Sequence, residues 1–212
     1  MATASQSLFN MTVASDNAGG NQGLLMPKLQ YRFRVNFLNF GLSPSNGIQL
    51  TKQVIDCSRP SVSFADIALQ VYNSTIKLAG KHTWADMSVN IRDDASGRVS
   101  RAVGQQLQKQ LNFVEQASAA TGQDYKFQTN IDILDGGNGN AVPEVLETWE
   151  LYGCYLKSAN YNTLNYATSE AVSIALSIAF DNAVQSPLSS GVGSPFRRSH
   201  AGQSATGIGG TR

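Results

Sequence analysis

Few residues in this sequence have the types and spacing that chemistry needs. His82 has Asp86 and Ser88 close by, the residue types of a nucleophilic triad, and His200 lies in a Gly/Ser-rich stretch. A triad is a three-dimensional placement of nucleophile, base and orienting acid, so this spacing has no motif value. An exposed or interface histidine is the plainer reading of His82. Cys57 and Cys154 are the only cysteines, and no Cys/His cluster offers a metal its ligands. Two cysteines are also too few for a disulfide framework, and they read as half-buried thiols.

Asp135-Gly-Gly-Asn-Gly-Asn140 lacks the Lys-Ser/Thr of a phosphate loop and the spaced acids of a calcium loop. It reads as a connection between strands. Glu144, Glu147 and Glu150 fall at helical spacing, but Val145, Trp149 and Leu151 make the segment a strand. On a strand Glu147 and Glu150 point to opposite faces, so no acid pair forms. The expectation is therefore no catalytic, cofactor or metal residue, and no enzyme.

The elements that would position such residues are mostly strands. Tyr31, Phe33, Val35 and Phe37 alternate with Arg32, Arg34 and Asn36, the period of a half-buried strand. Gly41 to Gly47 reads as a turn cluster, and Ile48 to Asp56 as the returning strand of a hairpin. After Pro60 a long excursion carries strand-like stretches from Ile67 to Leu78, broken at Asn73 and Ser74. Trp84 to Arg92 alternates again. Asp93 and Asp94 then favour a helix start. Val99, Val103, Leu107, Leu111 and Val114 form one apolar stripe on a single expected helix, with Gly122 as its stop. Further strands are expected over Tyr125 to Leu134, Val145 to Tyr155 and Ala171 to Phe180. In the last, Val172, Ile174, Leu176, Ile178 and Phe180 face one way, and small Ala and Ser residues the other. That small face suits either a position under the helix or a surface that must stay smooth.

Residues 1–27 carry one charge and read as an extended N-terminal arm, with Leu24, Leu25 and Met26 available to dock on a neighbour. Residues 28–185 form the β domain, and 186–212 read as a flexible basic C-terminal tail. The charged fraction is 15%, low for a free subunit, and suits a chain with much of its exterior covered by neighbours. Residues 1–181 hold 13 basic and 15 acidic groups, which argues against a dedicated nucleic-acid binder. No apolar run spans a bilayer and no signal peptide opens the chain, so a protein made in the cytoplasm and not anchored is expected.

The arrangement resembles the tail tube proteins of contractile-tailed, T-even-type bacteriophages. The resemblance runs over roughly residues 30–182. It is carried by Phe33-Arg-Val-Asn-Phe37, Val54-Ile-Asp-Cys-Ser-Arg-Pro60, Ile76-Lys-Leu-Ala-Gly-Lys-His-Thr-Trp84 and Met87-Ser-Val-Asn-Ile-Arg-Asp-Asp94. Thr148-Trp-Glu-Leu-Tyr-Gly-Cys154 and Ile174-Ala-Leu-Ser-Ile-Ala-Phe180 complete it. It implies a mainly β fold, a small β-barrel or sandwich with one α-helix, whose strands join between subunits into a ring-shaped barrel. It implies hexameric rings stacked into a hollow tail tube that delivers double-stranded DNA, in a virion assembled in the host cytoplasm. The implied partners are further copies, the tail sheath protein, the tape-measure protein, and baseplate and tail-terminator proteins, with no membrane.

Under that resemblance the arm near Pro60–Lys81 reaches an adjacent subunit or ring. Its contact candidates are Arg59, Pro60, Phe64, Ile67, Leu69, Val71, Tyr72, Lys81 and His82, and Arg32 and Arg34 stay out of the channel. A baseplate tube-initiator or a secretion-system tube protein shares these expectations. A β-sandwich ligand-binding module is the reading from another class, with Tyr152, Tyr155, Tyr161 and Tyr166 as its aromatic cluster.

Overall fold

The computed structural model describes residues 28–135, 143–186 and 191–194. The arm with Leu24, Leu25 and Met26, most of the Asp135–Asn140 loop, and nearly all of the tail with His200 lie outside the described residues.

The chain runs β1 (Phe33–Leu38), α1 (Pro44–Gln53), β2 (Val54–Cys57), β3 (Val62–Val71), β4 (Ser74–Trp84), β5 (Met87–Arg92) and α2 (Arg98–Gln110). It continues with β6 (Leu111–Asn112), β7 (Ala117–Ser118), α3 (Gly122–Tyr125), β8 (Phe127–Leu134), β9 (Val145–Asn160), β10 (Ser173–Ala179) and β11 (Asn182–Ser186). The main sheet has the order β1-β8-β9-β10-β5-β2, with β11 also pairing β9.

Strand β9 organises this sheet, because its length of 16 residues lets it serve two halves. Its first part pairs β8 on one edge, and β10 and β11 pair the other edge in succession. The corner falls at Gly153, whose φ of +68° favours glycine and whose missing side chain leaves room for Asp181. One half is thus β1, β8, the start of β9, and β11. The other is the end of β9 with β10, β5 and β2. Among the described residues the sheet does not close on itself. Both halves and α2 bury one apolar cluster that includes Val35, Val89, Val103, Leu151, Leu176 and Ile178.

Helix α1 replaces the strand expected over Ile48 to Asp56 as far as Gln53; β2 supplies its end, but pairs β5 and not β1, so the expected hairpin does not form. Pro44 sits in the first turn, where its missing N–H costs nothing. Ile48 and Leu50 would share a strand face, but about 100° per residue separates them on a helix. Leu50 is fully buried and Ile48 is 60% exposed. Gly47 lies so close to the Phe37 carbonyl that any side chain would collide with it, which is how α1 packs against β1. Tyr31, placed in the strand by alternation, instead precedes β1 and is 72% exposed.

Helix α2 starts as the two acids require. Asp94 accepts from the Arg98 N–H at 2.8 Å, and Asp93 accepts from the Ser100 N–H at 3.3 Å. It ends at Gln110, earlier than its apolar stripe suggests. Leu111 enters β6, Val114 is 90% exposed, and Gly122 begins α3 where a stop was expected. Gln110 then supplies a side-chain substitute for a strand. Its Nε2 donates to the Leu156 carbonyl (2.9 Å) and its Oε1 accepts from the Leu156 N–H (3.0 Å), just past the last β8 pair.

Candidate functional site: an unpartnered ribbon and a smooth sheet face

Among the described residues strands β3 and β4 pair only with each other, as a two-stranded ribbon separate from the main sheet. Their register sets Ile67 opposite Leu78 and Leu69 opposite Ile76, so these four and Val71 share one face. All five are 45–48% exposed. The opposite face is polar: Asp66 pairs with Lys77 at 3.9 Å, and Thr75 donates to Gln70 at 2.8 Å. An isolated two-stranded hairpin is marginal in water, and this one leaves its apolar face uncovered. At the tip Tyr72 adopts a φ of +45° and is fully exposed, a bulky residue in a region that costs it roughly 1 kcal/mol.

The ribbon's base is aromatic. Phe64 is 60% exposed and lies 6.3 Å from the His82 ring, and His82 meets Trp84 edge-on at 6.4 Å. The Trp84 indole N–H is buried and has no acceptor among the described residues. His82 is thus an exposed member of an aromatic row. Arg59 and Lys81 are exposed and Pro60 is half-buried.

The second feature is the outward face of the β2–β5–β10–β9 half. The register aligns Asp56, Asn90, Ala175 and Asn160 in one row, and Ser88, Ser177 and Ser158 in the next. Ser173 beside Arg92, and Ala179, extend it. The bulky residues of β10 enter the core with α2, so the small face is half-exposed and not under the helix. In these rows the charges are Asp56 and Arg92, and Asn90 donates to Asp56 at 2.9 Å. The outward face of the other half is built differently. There Arg34 donates to Asp132 through Nε and Nη2 (3.1 and 2.8 Å), joined by Asn36 (2.9 Å) and Thr148 (2.8 Å). Arg32, just ahead of β1, donates to the Asp135 carbonyl.

The remaining sequence candidates are accounted for individually. Glu147 and Glu150 do face opposite ways. Glu147 is buried and accepts from Trp149 Nε1 (2.6 Å), Gln185 Nε2 (2.8 Å) and Lys28, whereas Glu150 accepts from the Tyr152 hydroxyl. Burial alone would raise the Glu147 pKa, but the donors from Lys28, Trp149 and Gln185 outweigh it and hold the carboxyl below its ordinary value. Burial pushes the Cys57 thiol up to about 11, with Asp56 adding to it, and burial likewise takes Cys154 to about 11. Neither is a reactive thiolate. Among the described residues no group of three His, Cys, Asp or Glu is placed to hold a metal ion, and no helix is long and apolar enough to cross a membrane. Tyr155 meets Tyr125 edge-on at 6.4 Å, and no ring contact joins any two of Tyr152, Tyr155, Tyr161 and Tyr166. Sequence reasoning missed the Glu147 anchor, whose partners lie 119 and 38 residues away.

No protein-family model and no curated protein matches this chain. Solved structures do. A chain of the PVC extracellular contractile injection system, in its sheath-tube complex in the extended state, matches with a TM-score of 0.55 at 12% identity, over 76% of this chain and 93% of that one. A chain of the PVC sheath/tube terminator matches with 0.55 at 13%, over 77% and 99%. A chain of the sixfold-symmetrised anti-feeding prophage baseplate matches with 0.56 at 14%, over 76% and 97%. At such identities the shared property is the fold.

Proposed function

We propose that this chain is a structural subunit whose copies join edge to edge into rings, and whose rings stack into a hollow tube. The observation that carries this reading is the pairing of a smooth, small-residue sheet face with strand edges left open on both sides of it. Within that half, among the described residues, β2 has one free edge, and the residues of β9 after Leu156 have the other. Joining β2 of one copy to β9 of the next continues the sheet around a ring and removes both edges as aggregation hazards. The Ser, Ala and Asn face then lines the channel. A wall with one acid and one base in those rows avoids the counterion-release attraction that a basic wall exerts on DNA. Arg32 and Arg34 belong to the other half and stay off the channel. The ribbon, with Phe64, Ile67, Leu69, Val71 and Tyr72, reaches from its own ring to a neighbouring copy, and Arg59, Pro60, Lys81 and His82 at its base contact the adjoining subunit.

The sixfold symmetry named for one similar structure supports six copies per ring. The structures named for sheath-tube, terminator and baseplate assemblies support a contractile machine as the setting. The finer assignment is a T-even-type phage tail tube in the virion. Its partners are the sheath, tape-measure, baseplate and terminator proteins, and double-stranded DNA passes through it. Negative-stain microscopy of the purified chain across concentration and salt tests the reading. Rings or hollow tubes are expected, and a monomer under every condition contradicts it.

A further inference from the structure

The β2–β5–β10–β9 half has two unlike ends. At one end the strands root the ribbon. There the Ala85 N–H donates to the Ser61 carbonyl and the Ser58 N–H to the Ser88 carbonyl, both at 2.9 Å, and Trp84 packs on Phe180 with ring centroids 5.6 Å apart. At the other end, beyond the Ser173–Arg92 pair, residues 161–172 join β9 to β10. The six residues of β5 separate these ends by roughly 20 Å.

The ribbon is longer than that wall. Its ten-residue β3 spans roughly 33 Å, and every residue of β3 is exposed, so the ribbon projects from the body. At the tip Tyr72 is fully exposed with a φ of +45°, and no charge occurs between Asp66 and Lys77. A strained, exposed aromatic on such a tip is the kind of residue that anchors a contact between molecules.

The opposite end offers a receptor for it. Residues 161–172 border a groove of about 570 Å³. Leu164, Tyr166 and Val172 give the groove apolar surface, and Asn162, Thr168 and Glu170 give it polar groups. Leu164 is 81% exposed and Tyr166 fully so. A groove of mixed character suits tyrosine, whose ring is apolar and whose hydroxyl needs a partner. An uncharged tip also brings no charge to desolvate. Tip and groove lie at opposite ends of one set of strands, so rings stacked in the same orientation bring the ribbon end of one to the loop end of the next. A contact between two different patches of one chain repeats without closing, as a tube requires.

We propose that the ribbon tip of one copy seats Tyr72 in the 161–172 groove of a copy in the adjoining ring. The contact is the joint between rings, and its two unlike sides give the stack one polarity. This joint rests on the ring reading, in which every copy supplies one tip and one groove.

Cysteines on the two sides test the joint in the full chain. The double variant Asn73→Cys with Thr168→Cys keeps Tyr72. Burial pushes the native Cys57 and Cys154 thiols up to about 11, so they react slowly. The assembled variant is oxidised with copper phenanthroline and run on a non-reducing gel. A ladder extending past six chains is expected, absent from either single variant, because each link leads into a new ring. A ladder that stops at six places the tip on a neighbour in its own ring and overturns the proposal. A link within one chain only, or no link, overturns it as well. Tyr72→Ala is the second arm, scored by negative stain: rings persist and median tube length falls at least tenfold. Tubes of full length, or loss of the rings themselves, overturn the joint. Rings from the unaltered chain keep the ring reading standing in each of these cases, and their absence overturns both.

Discussion

Strand β10 and the β3–β4 ribbon carry the same alternating signal and meet opposite fates. In β10, Ile174, Leu176 and Ile178 are at most 2% exposed, covered by the core they share with α2. In the ribbon, Ile67, Leu69, Ile76 and Leu78 stand in equally regular register and remain nearly half exposed. Alternation therefore states which face must be covered, and says nothing of whether the same chain covers it. The first case stabilises the subunit, and the second leaves apolar area that only burial against another surface would turn into stability.

Substitutions can break or sharpen this contrast, ordered here by expected effect on the subunit. Ile178→Ala opens a cavity in the core and costs about 2–5 kcal/mol in chemical denaturation. Glu147→Gln weakens the anchor that holds Lys28, ahead of β1, to β9 and β11, and costs about 1–3 kcal/mol. Because the folded Glu147 carboxyl lies below its ordinary value, its contribution is complete above the unfolded value, about 4.3, and disappears as pH falls through the folded one. The Glu147→Gln variant loses that contribution to the acid dependence, read from denaturation midpoints across the same window. Gln110→Ala leaves the Leu156 backbone without its side-chain partner and costs about 1 kcal/mol by thermal denaturation. Leu69→Asp with Ile76→Asp changes subunit stability by at most about 0.5 kcal/mol, since the ribbon's apolar face is nearly half exposed. The same pair abolishes tubes in negative stain. Retained tubes break the comparison at its ribbon end.

The strands β1, β5, β8, β9 and β10 were legible because alternation survives wherever one sheet face meets a core and the other water. The ribbon's strand-like stretches were legible for the same reason, and its lack of cover was not. Helix α1 was hidden because Ile48, Leu50 and Val54 fit a strand at period two while Gly47, Leu50 and Val54 fit a helix at three and four. What the pattern does not show is the close approach of Gly47 to the Phe37 carbonyl, a contact between α1 and the strand just before it. The early end of α2 was hidden because Leu111 and Val114 continue its stripe. The small face of β10 was visible, but its orientation depended on where α2 packs. Glu147 looked like one of three spaced acids, and only the fold brings Lys28, Trp149 and Gln185 around it.

The central claim is that the small face of β10 and its neighbours lines a channel. Cryo-electron microscopy of the assembled protein measures this directly, at a resolution where strand register is readable. The account predicts rings of six with Ser88, Asn90, Ala175, Ser177 and Ser158 on the inner wall, and Arg34 and Asp132 away from it. An inner wall formed by the Arg34–Asp132 face, or an assembly with no channel, would contradict it.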